Sequence, residues 1–139
     1  MLSNPTILVI EDSETVRSFL RRLLVRDMPD ATVVEAADGK SALHEMTRCR
    51  PDLIVTDLQM PGMDGRAFIA KLRSNPLLKK KSVIVLSGDQ IQDLRELYAA
   101  DDGIVFLGKP SGSEVILETV HRLLAAMPSL GLADAGPNA

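Results

Sequence analysis

The sequence predicts an α/β domain: a doubly wound, five-stranded parallel sheet with helices on both faces. Three observations carry this. Five short runs are continuously apolar and rich in β-branched residues, as strands covered on both faces are. Each run is followed by a segment with helical apolar spacing. Right-handed crossovers between such repeats build a parallel sheet with a helix after every strand.

The strand runs are Ile7–Ile10, Thr32–Val34, Leu53–Val55, Val83–Leu86 and Ile104–Leu107. The first helical stripe is Val16, Phe19, Leu20, Leu23 and Leu24, with Ser13 placed to cap it. A second helix is expected over Lys40–Arg48, burying Ala42, Leu43 and Met46, with a turn at Asp38-Gly39 before it and Pro51 to stop it. Phe68, Ile69 and Leu72 form a third stripe, and Ile91, Leu94 and Tyr98 a fourth. Turns fall at Pro61-Gly62 and Asp64-Gly65. The last stripe is Ile116, Val120, Leu123, Leu124 and Met127, and Ser111 with Glu114 has capping-box spacing before it. From Pro128 to Ala139 periodicity is lost while Gly and Pro accumulate, so residues 6–127 are expected to fold and 128–139 to form a flexible tail.

With 139 residues the chain has room for one domain. A chain of this length buries enough surface to fold without disulfides or a structural metal. Apolar residues make up 45% and charged ones 25%, which excludes disorder throughout. The net charge of -3 argues against nucleic acid as the main partner, because phosphate backbones select basic surfaces. A single cysteine, Cys49, excludes an internal disulfide and fits a reducing compartment. No apolar run approaches a membrane span, and residues 1–6 lack the pattern of a secretory signal. The expectation is a soluble, cytoplasmic protein with no membrane partner.

In open parallel sheets, sites form beyond the carboxyl ends of the strands. Glu11 and Asp12 follow the first strand, Asp57 the third, Ser87 and Gly88 the fourth, and Lys109 and Pro110 the fifth. Three carboxylates, a hydroxyl and an ammonium thus converge on one rim. Carboxylates gathered at one point repel each other, and a divalent cation relieves that. Hard oxygen ligands without His or Cys suit magnesium, Mg2+, which leaves coordination positions for phosphate oxygens. Such a site is equipped for phosphoryl transfer, where the work is positioning and neutralising spreading negative charge. A carboxylate nucleophile can itself take the phosphoryl group.

At these residues the sequence resembles the receiver domains of two-component response regulators. The matching motifs are Glu11-Asp12, Asp57 in the run Asp57-Leu58-Gln59-Met60-Pro61-Gly62-Met63-Asp64-Gly65, Ser87-Gly88, and Lys109-Pro110. Together they cover about Thr6 to Met127. The resemblance implies the flavodoxin-like (βα)5 topology, with strand order 2-1-3-4-5. It implies a signalling domain rather than an enzyme, similar to the chemotaxis-type single-domain regulators, that accepts a phosphoryl group from a histidine kinase or histidine phosphotransfer protein.

Residue by residue, Asp57 resembles the phosphoacceptor. Glu11 and Asp12 resemble the acidic pair that holds Mg2+ directly or through water, and the carbonyl of Gln59 a further ligand. Ser87 takes the place of the hydroxyl residue, and Lys109 that of the lysine, that bind phosphoryl oxygens. The Lys109–Pro110 bond is similar to a family position that is usually cis, a geometry costing an X-Pro bond only about 0.5–1 kcal/mol. Phe106 resembles the switch aromatic, which turns inward as Ser87 is drawn to the phosphoryl group. That motion is implied to change the partner affinity of the face made by helix 4, strand 5 and helix 5, a coupling of about 1–3 kcal/mol. Output is expected through contact with a downstream protein or through phosphorelay, by a monomer or weak dimer.

Some positions depart from the family pattern. Glu11 stands where Asp is commoner, Phe106 lacks a phenolic hydroxyl, and Ser111 follows Pro110 where many members carry an apolar residue. Gln59 and Asp89 sit where water attack on the phosphoryl group is tuned. Arg17, Arg21, Arg22 and Arg26 give helix 1 a basic face, either solvated or available to a kinase. His44 and His121 lack companions at ligand spacing and read as surface or rim residues, and Cys49 as a small helix-end residue. Two rival chemistries fit less well. A phosphatase resembling haloacid dehalogenases needs a second Asp where Gln59 stands, and an amide supplies no titratable proton. A flavin carrier wants aromatic rings, and only 3% of residues are aromatic.

Overall fold

The computed structural model describes residues 4–57, 65–76, 80–87, 92–101, 103–108 and 112–126. Strands and helices alternate throughout: β1 (Thr6–Ile10), α1 (Glu14–Asp27), β2 (Thr32–Ala36), α2 (Gly39–Cys49), β3 (Leu53–Asp57), α3 (Gly65–Ser74), β4 (Ser82–Ser87), α4 (Gln92–Leu97), β5 (Ile104–Gly108) and α5 (Ser113–Ala125). All strand pairs are parallel, in the order β2-β1-β3-β4-β5. The expected fold class and strand order are therefore those of the structure.

Strand burial explains the continuous apolar runs. Ile7–Ile10, Leu53–Val55 and Val83–Val85 lie on interior strands and are at most 1% exposed. The edge strand β2 has only one buried residue, Ala36, and tolerates Thr32 and Glu35 at exposed positions. On one face, Leu8, Ile10, Ile54, Val83, Val85, Ile104 and Phe106 meet Ala42 and Met46 of α2 and Phe68, Ile69 and Leu72 of α3; Tyr98, just past α4, packs on the same cluster. On the other, Ile7, Val9, Leu53, Val55, Ile84 and Leu86 meet Leu20 and Leu24 of α1 and Ile116, Val120, Leu123 and Leu124 of α5. Burying each large side chain contributes about 1.5–3 kcal/mol against the cost of ordering it.

Helix ends follow local chemistry. Ser13 caps α1, its hydroxyl accepting from the Val16 N–H at 3.3 Å. Asp38, expected in a turn, is the N-cap of α2: its carboxylate accepts from the N–H of Ser41 at 2.7 Å and from the Ser41 hydroxyl at 2.8 Å. Those two bonds, the backbone one first, hold the Asp38 carboxyl below its ordinary value. Arg50 ends α2 in the left-handed region, with φ of 48°, so the chain reverses before Pro51. Cys49 is a half-buried free thiol at the end of α2, and burial raises its titration point.

Two helices differ from expectation. α5 opens with Gly112 at its N-cap and no side-chain capping bond. Ser113 is then the first helical residue and Glu114 the second, one short of the third position that a capping box uses. Ser111 lies outside the described residues. α4 spans only six residues, and Tyr98 of its expected stripe falls in the turn beyond it. Ile91, Met127 and the turn residues Pro61, Gly62 and Asp64 are outside the described residues, as is 128–139.

The amino ends of β4 and β5 are braced by Arg73. Its guanidinium reaches Asp101 through two bonds, of 2.6 and 3.2 Å, and the Lys81 carbonyl at 2.8 Å. Asp101 also accepts from the Gly103 N–H at 3.0 Å. The pair is largely shielded, with side chains 13% and 27% exposed. This network lies at the sheet edge opposite the carboxyl ends of the strands.

Candidate functional site

The carboxyl ends of β1 and β3 are adjacent, and their register sets the site. Ile10 pairs with Thr56, so Glu11 and Asp57 leave the sheet side by side. Ligand oxygens of Glu11, Asp12 and Asp57 lie within 4.8 Å of one another. Glu11 is 3% exposed, Asp57 half-buried and Asp12 exposed, so the cluster opens to solvent on one side. The sequence placed these three residues on one rim, and the fold brings them together.

Backbone bonds hold the couplet in place. The Glu11 N–H donates to the Ala36 carbonyl at 3.0 Å, extending the β1–β2 ladder past the strand end. The Glu11 carboxylate accepts from the Ser13 N–H at 3.1 Å, which partners a buried charge that is costly to leave bare. Ser13 thus serves twice, capping α1 with its hydroxyl and orienting Glu11 with its amide. On β3, the buried Thr56 hydroxyl donates to the Asp57 carbonyl at 2.9 Å.

The donor set is oxygen throughout, with no thiolate or imidazole. It suits a hard divalent cation, and three carboxylates exceed the one or two that magnesium usually takes from protein. These residues fit Mg2+.

Asp57 pairs with Leu86, and Ser87 with Gly108, so β4 and β5 end one residue further along the same rim. Lys109 is the next residue in the chain. Gln59, Asp89, Lys109 and Pro110 lie outside the described residues. Phe106 is 7% exposed and packs in the core cluster with Phe68, Val83 and Val85. Its carbonyl accepts from Arg95 Nη2 at 2.8 Å, a tie between α4 and β5 that sequence reasoning missed. Nothing in residue spacing marks it, because the acceptor is backbone.

The basic helix face is divided by the structure. Arg17 turns inward and bonds the Glu11 carbonyl at 2.8 Å and Glu35 at 3.0 Å. Arg21 shares Glu35 at 3.4 Å. Arg21 also lines, with Arg22 and Arg26, a groove of about 510 Å³ completed by Phe19, Leu23, Val25 and Ser113. Phe19 is 42% exposed there. His121 is paired with Asp27 at 2.5 Å, which ties α5 to α1 at the surface. Among the described residues, no helix is long and apolar enough to cross a membrane.

Residues 7–121 match the model of the response regulator receiver domain family. The chain is 30% identical over 118 residues to the chemotaxis protein CheY of Pseudomonas aeruginosa, covering 84% of this chain and 94% of that protein. It is 31% identical over 121 residues to the sensor histidine kinase TmoS of Ectopseudomonas mendocina, covering 87% of this chain but 12% of the kinase. It also spans only 34% of a protein-glutamate methylesterase/protein-glutamine glutaminase from Treponema denticola. Among solved structures, the receiver domain of a signal transduction histidine kinase from Syntrophus aciditrophicus superposes with a TM-score of 0.78 at 31% identity, over 90% of this chain and 93% of that one.

Proposed function

The chain belongs to the response regulator receiver domain family, and from that premise we propose that it accepts a phosphoryl group on Asp57 in a Mg2+-dependent reaction. The observation that carries this reading is the convergence of Glu11, Asp12 and Asp57 within 4.8 Å at the carboxyl ends of adjacent strands. An oxygen of the Asp57 carboxylate attacks phosphorus, the P–N bond of a donor phosphohistidine breaks, and the histidine nitrogen recovers its lone pair. Glu11, Asp12, Asp57 and the Gln59 carbonyl would hold Mg2+, the acidic pair directly or through water, and the bound ion would supply positive charge against the phosphoryl oxygens. Ser87 and Lys109 bind the remaining oxygens. We propose a cis Lys109–Pro110 bond on the family resemblance alone. The protein acts as a signalling module that promotes its own phosphorylation and dephosphorylation, not as an enzyme turning over an external substrate.

Ser87 and Phe106 form the switch, and the face of α4, β5 and α5 changes its affinity for a downstream protein. Output runs through protein contact or phosphorelay, by a cytoplasmic monomer or weak dimer. The partner in phosphotransfer is a sensor histidine kinase or a histidine phosphotransfer protein. The groove beside Phe19, Arg22 and Arg26 supports docking on α1, since it combines exposed apolar surface with positive charge near the start of α5.

The test is treatment with acetyl phosphate and Mg2+, read by intact mass. The parent gains one phosphoryl group, and Asp57→Asn gains none. Equal labelling of the variant would remove Asp57 as acceptor. Recovery of partners with and without beryllofluoride then tests the switch, and identical partner sets in both states would defeat it.

A further inference from the structure

Arg17 ties three segments together at the edge of the acidic cluster. It lies on α1, its side chain is 17% exposed, and its fork is split between two acceptors. Nε donates to Glu35 of β2 at 3.0 Å, and Nη1 donates to the Glu11 carbonyl at 2.8 Å. That carbonyl shares a rigid peptide plane with the Asp12 N–H. Holding it fixes the plane between the two carboxylate-bearing residues. The preceding plane is held by the Glu11 N–H bond to Ala36, and the Glu11 carboxylate by the Ser13 N–H. Glu35 meanwhile offsets the guanidinium charge, so the tie adds little positive field where a cation must bind.

We propose that Arg17 is a positioning residue for the cation site: by bridging Glu35 and the Glu11 carbonyl it aims the Glu11-Asp12 couplet at Asp57. This rests on the acidic cluster being the Mg2+ site. Outer partners that orient metal ligands typically influence affinity by about 10- to 100-fold. Arg17 acts on the peptide rather than on a carboxylate, so the lower end applies. A purely electrostatic role has the opposite sign, because removing a cation beside a cation site tightens binding. A purely structural role lowers the melting temperature and leaves Mg2+ affinity alone.

The experiment measures Mg2+ affinity of the full chain by competition with a fluorescent chelator, beside thermal melts. Arg17→Met keeps the packing of the stem and removes the donors. It is expected to weaken Mg2+ binding about tenfold. Arg17→Lys keeps the charge, but one ammonium does not reproduce the fork, so it is expected to bind more weakly than the parent as well. If one variant fails to melt cooperatively, the other decides. Glu11→Gln is the control. If it weakens Mg2+ binding while the Arg17 variants match or exceed the parent, the positioning role is overturned and the cation site stands. If Glu11→Gln binds Mg2+ as the parent does, the cation site itself is overturned, and the positioning role with it.

Discussion

Replacing Asp57 by Asn is expected to stabilise the metal-free protein. Asp57 sits within 4.8 Å of oxygens on both Glu11 and Asp12. Two unit charges at that distance repel by about 0.9 kcal/mol in water and about 3.5 kcal/mol at an effective dielectric constant near 20. Asp12 is exposed and belongs near the first limit, while Glu11 is 3% exposed and lies between them. Removing both repulsions, less the hydrogen bonding lost on changing carboxylate to amide, leaves a gain of about 1–2 kcal/mol. For a chain this long, that raises the melting temperature by about 3–6 °C. The assay is a pair of thermal melts, in EDTA and in saturating Mg2+. The cation stabilises the parent by about 1.4 kcal/mol once it reaches roughly ten times its dissociation constant. It stabilises the variant less, so the gap seen in EDTA closes or reverses in Mg2+. High salt in place of Mg2+ narrows the gap by screening. A variant that melts below the parent in EDTA, or a gap indifferent to Mg2+, would refute the view that like charge on Glu11 and Asp12 outweighs what favours the Asp57 carboxylate.

Three further outcomes are expected. Arg73→Ala breaks a shielded bidentate pair and takes the guanidinium from Asp101 and the Lys81 carbonyl, so urea titration should show a loss of about 2–3 kcal/mol, with acetyl phosphate labelling preserved because the brace is at the opposite end of the sheet. Arg50→Gly relieves the left-handed backbone at φ 48° and should gain up to about 1 kcal/mol in the same titration. Asp38 has a folded-state pKa lowered from 3.8 by its bonds to Ser41, so its stabilising charge is fully present above that value and is lost as pH falls through the folded pKa. Asp38→Asn keeps the capping geometry without the charge. It should therefore be less stable than the parent at pH 7, by a margin that shrinks as pH falls below 3.8, measured by urea melts across that range.

Most of the fold is legible in the sequence because burial writes itself into side-chain periodicity. The interior strands read as continuous apolar runs since both faces are covered, and α1 and α5 show one stripe each since they cover one face. Legibility fails where the determinant is backbone or local geometry. The capping box expected at Ser111 and Glu114 missed because the helix starts one residue later, at a glycine cap. Asp38 read as a turn former because turns and N-caps draw on the same residue types. The acidic members of the site were visible as strand-end residues, yet the pattern fixes only which rim they share.

The residue order alone determined that five buried strands alternate with helices and that Glu11, Asp12 and Asp57 leave the sheet at its carboxyl edge. Only the tertiary structure decided that β1 and β3 are neighbours in a register that brings those oxygens within 4.8 Å, and that Arg17 turns from a basic surface row to grip the Glu11 carbonyl. The reason is physical: hydrophobic burial depends on each side chain's own period, whereas strand register and a bond to a distant carbonyl depend on how separate segments meet.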